Sequence, residues 1–332
     1  MALLDCASSL LGDRPGCHWE GVVPRIEELI TLCKVIEQKS FSRAAELLEL
    51  SQPAVSLQIK SLESEYGVEL LHRDGFEIVP TESGYFVYEA ACQIVDIYVK
   101  SGQQVRELGG KLDGSLLVGA STGPGECLLP LLLGRFKIHY PQVSVALRVG
   151  DSSEIIDQVV KHRLDLGFVG TSRRDRHLCF EPFVHDQLVL VVVPNHPWAA
   201  RSFVSYEEFL QAPLILQQHG SGATAALYET LSEYNINVHQ LNVIMELGLQ
   251  ESTKAAVRSG LGMTIISKLG VIGELNRGDL VEVPIEGIEL KRDFYVVYRR
   301  TSPLTNLART FIEYAQSHVK QVILQIQSDS LN

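Results

Sequence analysis

Two short runs of small, hydroxyl-bearing and glycine residues have the composition to hold a small anion. Ser121-Thr122-Gly123-Pro124-Gly125 lies between a segment that reads as a strand and one that reads as a helix. Backbone N–H groups, hydroxyls and a helix start are the groups that bind anions, and glycines let the backbone come close. Gly170-Thr171 ends a second strand, His219-Gly220-Ser221-Gly222 precedes another helix, and Gln250-Glu251-Ser252 opens one more. The same residues also serve as ordinary turns and caps, and both readings stand open. Thiol chemistry is poorly supported. Cysteines occur at 6, 17, 33, 92, 127 and 179, with no CxxC and no His or Cys at ligand spacing, so no metal site is expected. Cys127 opens a helical segment, which could stabilise a thiolate, but no base partner is evident. Redox sensing at Cys127 or Cys179 is a minor alternative. No GxGxxG after a strand, no GxxxxGK[ST], no GxSxG and no HExxH occurs, and Gly220-Ser-Gly222 is too short a match to count. The expectation is a protein without catalytic residues or cofactor.

Composition narrows the class. The chain has 332 residues, 45% hydrophobic and 21% charged, with a net charge of −11. That suits about two globular domains at roughly 150 residues each, and the acidity taken alone argues against a nucleic-acid partner. No apolar run approaches the ~20 residues of a membrane span; the longest, Gln187–Pro194, is strand-sized. The first residues lack a basic n-region and a sustained apolar stretch, so a secretory signal is rejected and a cytoplasmic location with reduced thiols is expected.

Residues 1–24 show no periodicity and read as a loose tail. From Arg25 the pattern turns helical: Ile26, Leu29, Ile30, Cys33 and Ile36 form one face. A short helix follows over Ser42–Leu48, and Ser51-Gln52-Pro53 opens a third, with Ser51 placed to cap it and Pro53 in the first turn. Gly67 ends that helix. Three short helices of this kind are helix-turn-helix arithmetic. His72-Arg73-Asp74-Gly75, then extended Phe76–Pro80, suggests a small β-wing. Thr81 or Ser83 caps a long helix reaching Leu108, on which Val87, Ala91, Ile94, Tyr98, Ser101, Val105 and Leu108 follow heptad spacing. The stripe is either a dimerising seam or a face packed on its own domain. Gly109–Gly114 has the composition of a hinge. Beyond Gly114 strands and helices alternate for about 200 residues, which predicts α/β architecture with doubly wound parallel sheets.

Phe41-Ser-Arg-Ala-Ala-Glu-Leu-Leu48, Leu50-Ser-Gln-Pro-Ala-Val-Ser-Leu-Gln-Ile-Lys-Ser-Leu-Glu63, Gly67-Val-Glu-Leu-Leu-His-Arg73 and Pro80-Thr-Glu-Ser-Gly84 closely resemble the LysR-type transcriptional regulators. Gly114-Ser-Leu-Leu-Val-Gly119, Asp165-Leu-Gly-Phe168, Pro194-Asn-His-Pro197 and Ser259-Gly-Leu-Gly-Met263 extend the resemblance more loosely to about Gln316. It implies a winged helix-turn-helix over 25–84, a linker helix and hinge over 85–113, and a two-lobed effector domain similar to periplasmic binding proteins. Lobe I is expected at 114–180 with 268–332 and lobe II at 181–267, with crossings near Cys179–Glu181 and Ser267. The implied partners are duplex operator DNA, a small polar or anionic effector, and further copies of the chain, a homodimer through the linker helix and a homotetramer beyond it. A periplasmic solute-binding protein would share the effector architecture, but the helix-turn-helix and the absent signal oppose it. The effector region leans toward the sulfur-assimilation and selenium-associated branches.

In the DNA-reading frame, Gln52, Ser56 and Gln58 offer amides and a hydroxyl to base edges, and Pro53 or Ala54 can touch a thymine methyl. Ser42 and Arg43 suit phosphate contacts, and Lys60 and Arg73 suit backbone or minor-groove contacts. Alternatively Ser51 and Pro53 serve only the cap, and Gln58 is simply solvated. The resemblance places effector contacts at Ser121, Thr122, Thr171 and Ser221. Hydroxyls without a convergent Arg/Lys pair favour a small oxyanion or polar metabolite. The residues depart from the family where Leu57 and Phe76-Glu77 replace the polar or basic groups common there. From Val22 to Ala90 there are six Lys/Arg against twelve Asp/Glu. Nonspecific affinity tracks the phosphates neutralised, so binding is expected to weaken only modestly with salt and to rely on avidity. Titration of DNA binding across a salt series checks this; a slope near that of about ten released counterions contradicts it.

Overall fold

The computed structural model describes residues 24–72, 78–107, 112–218, 220–300 and 304–329. Nearly all of the expected tail (1–23), the turn of the wing with Arg73, the first half of the Gly109–Gly114 hinge, Leu108 and His219 lie outside the described residues. The chain divides into two compact units at Val95/Asp96.

The first unit opens with α1 (Ile26–Gln38), α2 (Phe41–Leu48) and α3 (Gln52–Tyr66). Leu32, Val35, Ala44, Val55, Ile59 and Leu62 are fully buried and form their shared core. Each helix is stopped by a left-handed residue: Lys39 (φ 50°), Glu49 (φ 56°) and Gly67 (φ 68°). Only the third stop was legible, because only glycine announces that conformation. Strands β1 (Leu71–His72) and β2 (Val79–Pro80) pair antiparallel as the base of the wing. Helix α4 (Glu82–Glu107) follows. Thr81, not Ser83, begins it: its Oγ1 accepts from Gly84 N at 2.9 Å and donates to Glu69 O at 2.8 Å. A Cβ at Gly84 would lie 1.8 Å from Leu70 O, so the helix can reach the β1 backbone only with glycine there. Glu63 Oε1 accepts from Leu70 N (3.0 Å) and Leu71 N (3.4 Å), tying α3 to β1.

The proposed seam on α4 divides. Ala91 is fully buried and Val87 packs on the same core, so both serve their own domain. Ile94, Tyr98, Ser101 and Val105 are exposed, as are Phe86 and Ile97. The heptad period did not separate the two uses because the first turns of α4 face α1 and the later ones do not.

In the second unit, β3 (Gly114–Ser121) is flanked by parallel β4 (Val143–Gly150) and β5 (Leu166–Val169), as the alternating pattern predicts. The sheet then turns antiparallel: β11 (Lys291–Arg299) pairs with β5 and with β6 (Leu178–Val192). The second sheet sets β6 against β9 (Thr264–Ser267) and β10 (Val281–Glu282), with β7 (Leu214–Gln217) parallel to β8 (Val243–Leu247) and bridged to β9 at Leu214/Met263. The sheets are therefore mixed rather than wholly parallel, because one long strand carries the chain out of the first sheet and its neighbour carries it back. Residues 178–187 of β6 pair with β11 and 188–192 with β9 and β10. The pairing places the change of sheet at Gln187/Leu188, later than the expected Cys179–Glu181. The return falls near Leu290, where Leu188 N donates to Leu290 O, rather than at Ser267.

Helices α5 (Thr122–Cys127), α6 (Leu129–His139) and α12 (Asn306–Asp329) supply the core of one face of the first sheet around Leu132, Phe136 and Phe311. Helix α7 (Ser152–Val160) covers the other through Ile155, Ile156 and Val159. Around the second sheet, α8 (Tyr206–Gln211) and α9 (Gly222–Glu233) pack through Phe209, Leu227 and Leu231, and α10 (Gln250–Arg258) and α11 (Lys268–Arg277) through Val257 and Val271.

A polar cluster ties the later turns of α4 to this unit. Asp96 Oδ1 meets Lys100 Nζ at 2.9 Å, and its Oδ2 meets His162 Nδ1 at 2.8 Å and Arg299 Nη2 at 3.3 Å. Lys100 also reaches Asp165 at 3.1 Å, and Arg299 Nη1 donates to Val159 O and Leu164 O. Burial alone would raise the Asp96 carboxyl, but hydrogen bonds from His162 and Lys100 and the charges of Lys100 and Arg299 outweigh it and hold it below the usual carboxylate value. A lowered folded-state value stabilises above the ordinary carboxylate range and loses that contribution as pH falls through the folded value. Asp96→Asn is expected to cost on the order of 3 kcal/mol at neutral pH and less below about pH 4. Urea denaturation of both proteins across that range measures it; a pH-independent difference rejects the account.

Candidate functional site

On the first unit, α3 presents an exposed start. Ser51 Oγ accepts from Ala54 N at 3.4 Å, so it is a cap, and Gln52 and Pro53 are exposed beside it. Ala54 and Ser56 are half-buried, and Lys60 is exposed one face over. Ser42 and Arg43 are exposed at the start of α2, where Ser40 Oγ accepts from Arg43 N. Gln58 is half-buried, with one end of its amide engaged. The Thr31 hydroxyl of α1, 1% exposed, donates to its Oε1 at 2.5 Å. That bond fixes the Gln58 carbonyl against α1 and sets the direction of its NH2 group. Leu57 is 68% exposed on the same helix, an apolar side chain that can meet only apolar features of a partner.

On the second unit the glycine-rich run is itself a helix. Thr122–Cys127 forms α5, with Leu128 N bonded to Pro124 O. Its glycines serve packing rather than unusual torsions. A Cβ at Gly125 would lie 3.1 Å from Ala120 Cβ and Val149 Cγ2, and one at Gly123 would lie 3.0 Å from Arg292 Nη2 and the Phe294 ring. Cys127 therefore ends a helix instead of opening one. Burial pushes its thiol up to about 12, which removes the stabilised thiolate that the sequence allowed.

Three of the four expected effector residues are brought together. Ser121, Thr122 and Ser221 are each nearly buried. Ser221 Oγ donates to Gln217 Oε1 at 2.6 Å, Thr122 Oγ1 lies 3.5 Å from the same oxygen, and Thr224 Oγ1 donates to Gln217 O at 2.9 Å. Gln217 at the end of β7 is thus the hub of the hydroxyl set. Thr171 is half-buried just past β5, next to Gly170, whose N–H donates to Ser152 Oγ at 3.3 Å. The two sheets' loops meet closely here. A Cβ at Gly222 would lie 2.8 Å from Gly170 C and O, one at Gly220 would lie 2.9 Å from the Asp151 carboxylate, and Gln218 Nε2 donates to Asp151 Oδ2 at 3.4 Å.

The largest difference from the expected site is a cation. Arg292, 7% exposed in its side chain, lies against the same loops. Its Nε donates to Asp186 Oδ2 at 2.8 Å, Ser267 Oγ donates to Asp186 Oδ1 at 2.7 Å, and its guanidinium stands 4.8 Å over the Phe294 ring. Nη1 lies 2.9 Å from where a Gly170 Cβ would stand and Nη2 3.0 Å from a Gly123 Cβ. Neither nitrogen has an acceptor among the described residues. Gln217, Asp186 and Arg292 escaped the sequence reading for different reasons. Gln217 ends an apolar run and looks like a strand's exposed end. Arg292 and Asp186 are cross-strand partners in the β6–β11 register, a pairing between residues 106 positions apart that no local pattern shows. Together the site offers hydroxyls, an amide and one half-engaged guanidinium, a set suited to binding rather than to nucleophilic chemistry. No group of three or more His, Cys, Asp or Glu side chains able to hold a metal ion occurs among the described residues, and no helix there is long and apolar enough to cross a membrane.

Comparison with known proteins agrees with both halves. Residues 26–85 match the bacterial regulatory helix-turn-helix protein, lysR family, and residues 109–320 match the LysR substrate binding domain. The chain is 32% identical to the HTH-type transcriptional activator CmpR of Synechocystis sp. over 85% of this chain and 92% of that one. It is similar in structure to the regulatory domain of CcmR from Synechocystis in complex with 2-PG, at 26% identity and TM-score 0.57, covering 63% of this chain and 98% of that one. The full-length regulator CbnR, solved with its target DNA, shares the fold at TM-score 0.63 and 20% identity over 90% of this chain and 99% of that one. With an N-terminal helix-turn-helix and an effector domain both matched, and a regulator related along most of its length, the chain belongs to the LysR family of transcriptional regulators.

Proposed function

We propose that this regulator responds to a small anionic metabolite held by Arg292, with its operator read from the start of α3. The observation that carries the effector class is the Arg292 guanidinium, buried yet with Nη1 and Nη2 free of acceptors among the described residues. Guanidinium groups favour bidentate bonds to carboxylate, phosphate or sulfur oxyanions. Ser121, Thr122, Thr171 and Ser221 would complete the anion's contacts, with Gln217 exchanging its hydroxyl partners for the ligand. Asp186 neutralises the guanidinium, which favours a ligand of low charge over a polyanion. The 2-PG bound to the related regulatory domain is the multiply charged compound to try against that expectation, and the lean toward sulfur and selenium chemistry supplies the less charged ones. The chain is read as cytoplasmic and as a homo-oligomer, with the exposed part of the α4 stripe (Ile94, Tyr98, Val105) as the dimer seam. Ser42, Arg43, Gln52, Pro53, Ala54, Ser56 and Lys60 remain the proposed DNA contacts, Gln58 contributing only its NH2 group, and Arg73 joins them from sequence alone.

The effector domain is proposed to divide at Gln187 and near Leu290, the places where β6 and β11 change sheets. Ligand binding would shift the population of lobe arrangements and, through the linker helix, the spacing of reading heads. A coupling of ~1–3 kcal/mol is of the size of the ~1–6 kcal/mol that bending an operator costs, so it can alter promoter geometry without releasing DNA.

The test is a gel shift on the intergenic duplex beside the protein's own gene, with 2-PG, phosphate, sulfate, thiosulfate, acetylserine and selenite added in turn. A mobility change with at least one of them is expected. Arg292→Gln should retain operator binding while weakening that compound about 10- to 100-fold, the scale of a charge-assisted hydrogen bond. Arg292→Lys, which keeps the charge and loses the fork, should fall between. Silence from all six compounds, or full response in Arg292→Gln, rejects the anion reading.

A further inference from the structure

The net charge of −11 hides one cationic region. Three segments of the effector domain converge at one end of the first sheet. Arg300 N donates to His177 O at 2.7 Å, continuing the β6–β11 ladder past Arg299/Leu178. Arg299 Nη1 bonds Val159 O and Leu164 O, drawing in the turn after α7. Arg173 Nη2 meets Asp157 Oδ1 at 3.1 Å and Asp175 Oδ2 at 3.8 Å, fastening the loop before β6 to α7. The nearby carboxylates are thus engaged: Asp157 and Asp175 by Arg173, Asp165 by Lys100, and Asp96 by Lys100, His162 and Arg299. Lys161, Arg174, Arg176 and Arg300 are left, all exposed, with no carboxylate within ion-pair distance among the described residues.

These four cations sit on the converging segments without a carboxylate partner among the described residues, Arg176 being bonded only to its neighbour His177 (Nε to Nε2, 2.9 Å). Their placement is explained by a polyanionic partner. The chain belongs to a family of DNA-binding regulators, yet its reading domain carries six Lys/Arg against twelve Asp/Glu from Val22 to Ala90. Such a domain supplies few of the phosphate contacts on which protein–DNA affinity depends. The cationic end of the effector domain adjoins Asp96 and Lys100 of α4, the helix that begins in the reading domain.

We propose that Lys161, Arg174, Arg176 and Arg300 form a second DNA-backbone site, on the effector domain, that binds phosphates of the same duplex and makes up the charge the reading domain lacks. The proposal rests on the DNA-reading assignment above. Contacts of this kind set affinity and duplex path without reading sequence. They also make the effector domain's position part of the DNA complex, so a lobe movement changes which phosphates it holds.

The experiment is a titration of the full-length protein against a fluorescent copy of the intergenic duplex beside its gene, over about 50–200 mM salt. The wild-type slope of log affinity on log salt is compared with that of the triple variant Arg174→Gln, Arg176→Gln, Arg300→Gln. Each lost phosphate contact removes about 0.9 from the slope, so the triple variant should be shallower by about 2 to 3, with unchanged sequence preference. The matching Arg→Lys triple should restore the slope, and thermal melts should coincide because all three side chains are exposed. An unchanged slope in a stable Arg→Gln variant overturns the proposal. Loss of promoter activity with an unchanged slope also overturns it and points to an acidic protein surface as the partner. Failure of the wild type to bind the duplex removes the DNA-reading assignment itself, and the two failures are therefore distinguishable.

Discussion

The effector domain depends on the antiparallel ladder between β6 and β11. The ladder runs from Lys291/Gln187 to Arg299/Leu178 and joins what are otherwise two separate sheets. The first sheet needs β11 to cover the edge of β5, and the second begins where β6 leaves β11 and meets β9. Asp186 and Arg292 face each other at that junction, nearly buried. Desolvating two charges costs several kcal/mol and is recovered only with good geometry and further hydrogen bonds. Ser267 supplies one of those bonds to Asp186. The placement of an ion pair where a hydrophobic pair would be cheaper marks the junction as a place where polarity is needed, beside loops from both sheets.

The same ladder explains how much of the fold was legible. The three helices, the cap at Ser51 and the strands β3, β4, β5, β7 and β8 follow from local periodicity and punctuation. The first half of β6 did not. Glu181, Pro182, His185 and Asp186 interrupt any apolar alternation, and that half is a strand because β11 pairs with it from Leu178 to Gln187. The mixed character of the sheets was hidden for the same reason, since direction is a property of pairing and not of either strand alone. Within the site, hydroxyls next to glycines were visible as a pattern, whereas Gln217 and Arg292 act through partners far away in sequence. The glycines at 123 and 125 also have a packing role that their pattern alone does not show. They make room for Arg292, Phe294 and Val149 inside a helix rather than shaping an open loop.

The linker helix shows one element serving two masters. Its first turns bury Tyr88 and Ala91 in the reading domain, while Asp96 and Lys100 are held by His162, Asp165 and Arg299. His162 holds its place with φ at 58°, a left-handed backbone uncommon outside glycine and asparagine, and its bond to Asp96 is part of what keeps it there. Ile94, Tyr98 and Val105 remain exposed on the same helix, outside both sets of contacts.

The contact between Gly170 and Gly222 has an evolutionary consequence. At this point the loops after β5 and β7 touch backbone to backbone, and the space for even one added carbon is already taken by Gly170 C and O. A single methyl at position 222 is a wedge. It forces the two backbones apart without replacing any side chain of the reading helix, the guanidinium or the hydroxyl set. A one-codon change at this position therefore acts on the spacing of the two loops alone, while every side chain proposed to recognise DNA or ligand keeps its identity.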